Sequence, residues 1–297
     1  MVGGKFSEAI AKTLEFSHHV IERRVYPDSE VCPRIKIKGK LSKEIFFILQ
    51  PKRGQNLNAY LTEFLITLNN LTERGKKVHA FMPYMVYARQ DKAFRNGEPV
   101  SSKIVADLIK KSGAITFTAI NTHPHRIGIG EIFDMKAYNL SAIPLLAEFT
   151  MAHYDLVHPF ILAPDDEAID WAREFVSVIG TRSYDAIHKE RDFDTGAIET
   201  DMPEVDLTGR DVVIVDDIIA TGGTMIAAIK HARNHGAKSV IACAVHPVLV
   251  HNALEKLENL KVRGLFTTNT MPSSISQVDV RPVLIEKIKD LLKEHHA

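Results

Sequence analysis

Only two cysteines occur among the 297 residues, Cys32 and Cys243, and neither has another cysteine at metal-ligand or redox spacing. That scarcity excludes a disulfide framework and suggests a reducing compartment. Burial as small apolar groups is the expected role of both thiols. Charge of one sign is lacking too, since 37 Lys and Arg balance 37 Asp and Glu. No global field draws this chain onto nucleic acid or an anionic membrane, so any polyanion site has to be local. Apolar runs such as 45–49 and 212–215 fall far short of the roughly 20 residues a membrane helix needs. The opening Met1-Val2-Gly3-Gly4-Lys5 has no apolar core followed by a small-residue cleavage site. No membrane contact and a cytoplasmic location are therefore expected.

What the chain does have is the composition of an ordinary soluble protein, 45% hydrophobic and 25% charged, at a length that suits two α/β domains. Short β-rich runs alternate with stretches of helical period, the pattern of a parallel sheet wrapped by helices. Strands are expected at 45–49, 78–83, 115–120, 160–163, 212–215, 239–245 and 262–267. Leu57, Leu61, Phe64, Leu65, Leu68 and Leu71 recur at helical spacing, as do Ile104, Val105, Leu108 and Ile109. Gly75, Gly113 and Gly236 stand where helix C-caps would be. A seam near 138–143, with Ser141 as the cap of the next helix, divides the chain into domains at 1–140 and 141–281. A last helix, 282–297, can pack on either domain, the first included.

The most informative stretch is Val212-Val213-Ile214-Val215-Asp216-Asp217-Ile218-Ile219-Ala220-Thr221-Gly222-Gly223-Thr224. An apolar strand brings two carboxylates to its carboxyl end, where open α/β sheets bind ligands. There they can accept hydrogen bonds from vicinal ribose hydroxyls. Gly222 and Gly223 let the backbone approach closely, and Thr221, Thr224 and the amides of a starting helix can cradle a phosphate. The segment from Asp216 through Ala220 to Thr224 resembles the phosphoribosyl-diphosphate motif shared by type I phosphoribosyltransferases and ribose-phosphate diphosphokinases.

Upstream residues decide between those two. Pro83-Tyr84-Met85-Val86-Tyr87-Ala88-Arg89-Gln90-Asp91-Lys92-Ala93-Phe94, with Gly97-Glu98-Pro99-Val100-Ser101 after it, carries a guanidinium fork, an amide and a point charge suited to a nucleotide's phosphates and sugar. It closely resembles the ATP-binding loop of ribose-phosphate diphosphokinases. Tyr26-Pro27-Asp28-Ser29-Glu30 resembles the loop with which that family receives adenine from a neighbouring subunit, Tyr26 offering a ring face and Asp28 and Glu30 acceptors. In Lys189-Glu190-Arg191, period two would put both cations on one side of an extended segment, facing a transferring diphosphoryl group. The family's matching Lys and Arg are catalytic.

The resemblance covers nearly the whole chain and is closest to the archaeal-type branch. It implies two tandem type I phosphoribosyltransferase-like domains, each a mainly parallel sheet flanked by helices. It further implies ATP and ribose 5-phosphate as substrates, Mg2+ held near His125 and Asp165, and a homo-oligomer completing the adenine site across an interface. Three departures from the family pattern stand out. Asp166-Glu167-Ala168 follows Asp165 where the family has a small or basic residue and glycine; Ala59 follows Asn58 where the family has Asp; and the opening strand is short or missing. A phosphoribosyltransferase shares the 216–224 loop but has no need of the Arg89 loop. A non-catalytic regulatory paralogue is the reading that Asp166 and Glu167 favour.

Overall fold

Strands buried on both faces need cover from helices that the chain supplies between them, so alternating apolar and amphipathic stretches wind into parallel sheets. The computed structural model describes residues 1–37, 39–122, 128–191, 198–201 and 206–296, without the side chains of 188–191, 198–201, 295 and 296. It divides into two units, Met1–Ser141 with Arg281–Ala297, and Ala142–Val280. Among the described residues, no helix is long and apolar enough to cross a membrane.

The first unit begins with β1 (Val2–Gly3), α1 (Lys5–Thr13), β2 (His19–Val25), β3 (Val31–Lys36) and β4 (Glu44–Ile48). It continues through α2 (Leu57–Glu73), β5 (Lys77–Met82), α3 (Ser101–Lys111), β6 (Ala114–Ile120), α4 (Ile129–Ile132) and β7 (Ala137–Leu140). Among the described residues these strands form one sheet, ordered β3-β2-β1-β4-β5-β6-β7. Only β2 and β3 pair antiparallel. The expected opening strand is short but present, and central: Val2 pairs with His19 on one side and Phe47 on the other. Gly3 is required there, because a Cβ would collide with the Ile48 carbonyl and the Ser7 side chain.

The β2–β3 hairpin escapes the sequence reading because Pro33 argues against a strand. β3 is an edge strand, however, where a missing N–H costs no ladder bond on the open side. Cys32 needs a correction. Expected to be buried, it lies exposed on this edge strand opposite Arg24, whereas Cys243 is buried in the second sheet.

The second unit runs α5 (Ile143–His153), β8 (Phe160–Ala163), α6 (Ile169–Ile179), β9 (Tyr184–Ala186), β10 (His188–Arg191), β11 (Ile198–Asp201) and β12 (Asp211–Ile219). It ends with α7 (Gly223–Asn234), β13 (Ser239–Pro247), α8 (Ala253–Glu258), β14 (Gly264–Thr268) and β15 (Ser276–Val278). Among the described residues, the order β15-β14-β13-β12-β8-β9 makes a parallel sheet, and β10 and β11 form a separate antiparallel pair. The central β12 has Val212 to Val215 fully buried, Val212 and Ile214 joining a cluster with Met225, Ile229 and Leu257. Ser141 is not the cap of α5. Ala142 takes the N-cap position with no side-chain bond, and Pro144 in the first turn sets the helix start instead.

Gly75, Gly113 and Gly236 follow α2, α3 and α7 with φ of 69°, 94° and 81°, the left-handed conformation that ends a helix most cheaply at glycine. The final helix, α9 (Arg281–His296), belongs to the first unit. There the Lys287 ammonium sits 3.2 Å from the Tyr138 ring centroid and Lys136 pairs with Glu294 at 3.1 Å.

α7 also gives a pH-dependent stability. His231 and His235 lie 3.8 Å apart between ring centroids, tilted by 35°, and burial, then the neighbouring ring, lowers the His231 pKa to about 4. The unfolded chain takes up this proton near pH 6.5. Stability from this group is therefore complete above about pH 6.5 and lost as pH falls toward 4. The thermal midpoint of the wild type should drop over that window, and His231→Gln should remove part of the drop. Parallel melting profiles of the two proteins would contradict this.

Candidate active site

The two carboxylates of β12 stand within the strand, not beyond it. β8 stops pairing with β12 at Ile214, while β13 continues to Ile219. Asp216 and Asp217 thus occupy the stretch held on one side only, at the carboxyl end of the sheet. Asp217 is buried and Asp216 half-buried. The Asp217 amide donates to Asp216 Oδ1 at 2.8 Å. Burial, reinforced by the Asp217 and Asp165 carboxylates, pushes the Asp216 pKa well above the carboxylate range. The same surroundings raise the buried Cys243 thiol on β13, first by burial and then by Asp216.

After Ala220 and the exposed Thr221 the chain turns at Gly222, with φ of 80°, and Gly223 opens α7. A side chain at Gly222 would be strained by that φ, although a Cβ there would only touch Ala253 of α8. The turn thereby leaves the first-turn amides of a twelve-residue helix, with the Thr224 hydroxyl, where an anion is favoured. Acceptors for hydroxyls on one side and donors for a phosphate on the other fit a sugar phosphate.

Asp165 caps a single 3-10 turn, Asp166–Ala168, between β8 and α6. Asp166 and Glu167 are exposed at the head of α6, where the helix dipole favours negative charge. That placement gives these two unusual acids a structural role. Among the described residues, no three His, Cys, Asp or Glu side chains gather to hold a metal by themselves. Neighbouring carboxylates such as Asp165 and Asp216 suit a magnesium ion that keeps waters and substrate phosphates as its other ligands. His125, with His123, lies outside the described residues.

In the first unit, the chain after β5 packs Tyr84, Met85, Val86 and Ala88 inward and turns Tyr87, Arg89 and Gln90 outward. Tyr87 adopts φ of 63°, and its hydroxyl donates to Asn58 Oδ1 at 2.7 Å. Asn56 caps α2, its side chain accepting from the amides of Asn58 and Ala59, so Asn58 presents itself to Tyr87 from a fixed first turn. Together these elements line a pocket of about 530 Å³ that Arg89 and Gln90 share with Phe94. Asp91 is half-buried and Lys92 exposed, its ammonium 5.1 Å from the Phe94 ring centroid. The Tyr87–Asn58 bond is an addition that the sequence reading missed, and Phe94, which closes the run read as a nucleotide loop, had no separate role there.

The Tyr26 loop proves to be the tip of the β2–β3 hairpin. Tyr26 N–H donates to the Glu30 carbonyl at 2.9 Å, Ser29 returns a bond to Tyr26, and Glu30 N–H reaches Asp28 Oδ1 at 3.1 Å. Asp28 is thereby spent partly on the turn itself. The Arg24 guanidinium lies 4.6 Å from the Tyr26 ring centroid. Lys189 and Arg191 are on β10, opposite Thr200 and Ile198 of β11, and their side chains lie outside the described residues.

Comparison with known proteins places this geometry in context. Residues 3–113 match the family described as the N-terminal domain of ribose phosphate pyrophosphokinase, and residues 129–282 match the phosphoribosyl transferase domain. The ribose-phosphate pyrophosphokinase of Sulfurisphaera tokodaii is 35% identical over 286 residues, covering 95% of this chain and 96% of that one. That of Methanothermobacter thermautotrophicus is 35% identical, covering 96% and 97%. A solved structure of phosphoribosylpyrophosphate synthetase from Mycobacterium smegmatis superposes with a TM-score of 0.85 at 27% identity, over 99% of this chain and 98% of the other.

Proposed function

Because the chain belongs to the ribose-phosphate pyrophosphokinase family, we propose that it transfers the diphosphoryl group of ATP to the C1 hydroxyl of ribose 5-phosphate, yielding 5-phosphoribosyl 1-diphosphate and AMP. The observation that carries this reading is the Asp216–Asp217 pair followed by the glycine turn into α7, in a chain that matches its relatives over nearly full length. The direct test mixes purified protein with ATP, magnesium and ribose 5-phosphate and quantifies AMP and the product. Equal amounts of the two support the reading, and AMP without the product, or neither, contradicts it.

In this reading Asp216 and Asp217 accept from the ribose hydroxyls while Thr221, Gly222, Gly223 and Thr224 hold the 5-phosphate. Arg89, Gln90, Asp91 and Lys92 hold the nucleotide. Bound magnesium, with Asp165 among its ligands, would neutralise charge on the triphosphate. Lys189 and Arg191 stabilise charge on the diphosphoryl group as the C1 oxygen attacks the β-phosphorus and AMP leaves. The site works in the cytoplasm, and the hairpin tip bearing Tyr26 serves the adenine site of a neighbouring subunit.

Removing one ribose contact should separate the substrates. Asp217→Asn, and likewise Asp216→Asn, should weaken ribose 5-phosphate binding and leave ATP binding nearly intact. Thr224→Val deletes a hydrogen bond to a charged acceptor, a loss of about 1.5 to 3 kcal/mol, or roughly ten- to a hundredfold in Kd. Calorimetric titration with each ligand alone checks this. Equal loss of both affinities would remove the loop from the ribose site.

A further inference from the structure

An exposed aromatic ring on the wall of a pocket of mixed polarity needs an explanation, and Phe94 is 62% exposed. Its neighbours in that wall, Asn58, Tyr84, Tyr87, Arg89 and Gln90, combine two further rings with an amide pair and a guanidinium. The volume, about 530 Å³, falls within the range of small-molecule sites. The ring is carried on a tied loop. Phe94 N–H and Arg95 N–H both donate to Glu98 Oε2 at 3.0 Å, Gln90 N–H donates to the Tyr87 carbonyl at 3.1 Å, and Ser102 N–H donates to the Gln90 carbonyl at 3.1 Å. Tyr87, held at a positive φ rare for a bulky residue, marks strain in the same loop, and such strain gathers at ligand sites.

A phenyl face carries negative potential, so it accepts a cation or a flat base and repels phosphate. The Lys92 ammonium already stands over the ring. A purine stacked on it would bury the exposed apolar face, while Arg89 and Lys92 remain for the nucleotide's anionic part. We propose that Phe94 is a platform for the nucleobase of ATP, contributed by the same chain that supplies Arg89 and Gln90. This rests on the reading of ATP as donor, and it adds a second aromatic contact to the one assigned to Tyr26.

The test uses the full-length protein. In Phe94→Trp, the fluorescence change on titration, less that of the wild type with its single Trp171, should respond to adenosine, AMP and ATP but not to inorganic tripolyphosphate. Phe94→Ala should raise the KM for ATP about five- to a hundredfold, the range that base stacking on an aromatic supports. It should leave the KM for ribose 5-phosphate and kcat within about twofold, and Phe94→Tyr should recover most of the loss. An indole signal that follows tripolyphosphate as well as ATP, or an unchanged KM for ATP in Phe94→Ala, overturns the platform. Failure of the two readings is separable. A wild type that makes no 5-phosphoribosyl 1-diphosphate while Phe94→Trp still responds to adenosine defeats only the assigned reaction. An active wild type whose Phe94→Trp variant is silent to adenosine defeats only the platform.

Discussion

Alanine at both Lys189 and Arg191 should lower kcat by about a thousandfold or more while the Kd for ATP moves only a few fold. Phosphoryl transfer leaves little covalent work to the protein, so rate comes from positioning and from cations that meet charge as it spreads over the transferring group; one such arginine is typically worth about 10³ to 10⁵. Contacts made mainly in the transition state lower kcat on removal without weakening the ground-state complex. The double variant should fold, because among the described residues β10 and β11 pair only with each other and the six-stranded sheet of the second unit does not include them. Steady-state kinetics with calorimetry on the same preparation decides the matter. Unchanged kcat, or a Kd for ATP that rises in step with the lost activity, would take the catalytic role away from this hairpin.

The second large effect concerns assembly. Tyr26→Ala should raise the KM for ATP by about five- to a hundredfold and spare that for ribose 5-phosphate, since a stacked base is worth roughly 1 to 3 kcal/mol. Arg89→Ala should be nearly inactive for want of its guanidinium on the phosphates. Mixing the two should restore activity, because a hybrid interface joins an intact hairpin tip from one chain to an intact Arg89 loop from another. The tip suits such a role. Tyr26 is braced by Arg24 and by the backbone turn to Glu30, so it projects on a fixed hairpin. If mass spectrometry shows that the subunits exchange and activity at low ATP does not rise above the sum of the unmixed variants, adenine is held within one chain and the shared site is wrong.

Strands with unbroken apolar runs were legible from sequence because burial on both faces leaves no other composition available to them. β8 lies at 160–163 as expected, β4 and β5 each lie one residue earlier at both ends, and β6 begins one residue earlier. β12 outran its expected end at Val215 by four residues, since polar side chains at a sheet's carboxyl edge hide a ladder that β13 continues to support. The β2–β3 hairpin was illegible for the opposite reason: an edge tolerates Pro33 and charges that a central strand excludes. Of the site, the glycine turn and its acids could be read because their chemistry is local in sequence. The bond from Tyr87 to Asn58 spans 29 residues and the approach of Asp165 to Asp216 spans two strands, so neither leaves a trace in spacing.

The placement of α9 couples the two units through the chain itself. The last helix completes a body whose other elements all precede Ala142, so the whole of Ala142–Val280 is a loop closed by that docking. Were this loop unfolded, closing it would cost on the order of 4 kcal/mol in chain entropy, since the cost grows with the logarithm of its length. Once folded, the insert holds its ends in fixed places and that cost has already been met. The first unit therefore gains stability from the order of the second, and the late-arriving helix makes the first-begun unit the last to be finished.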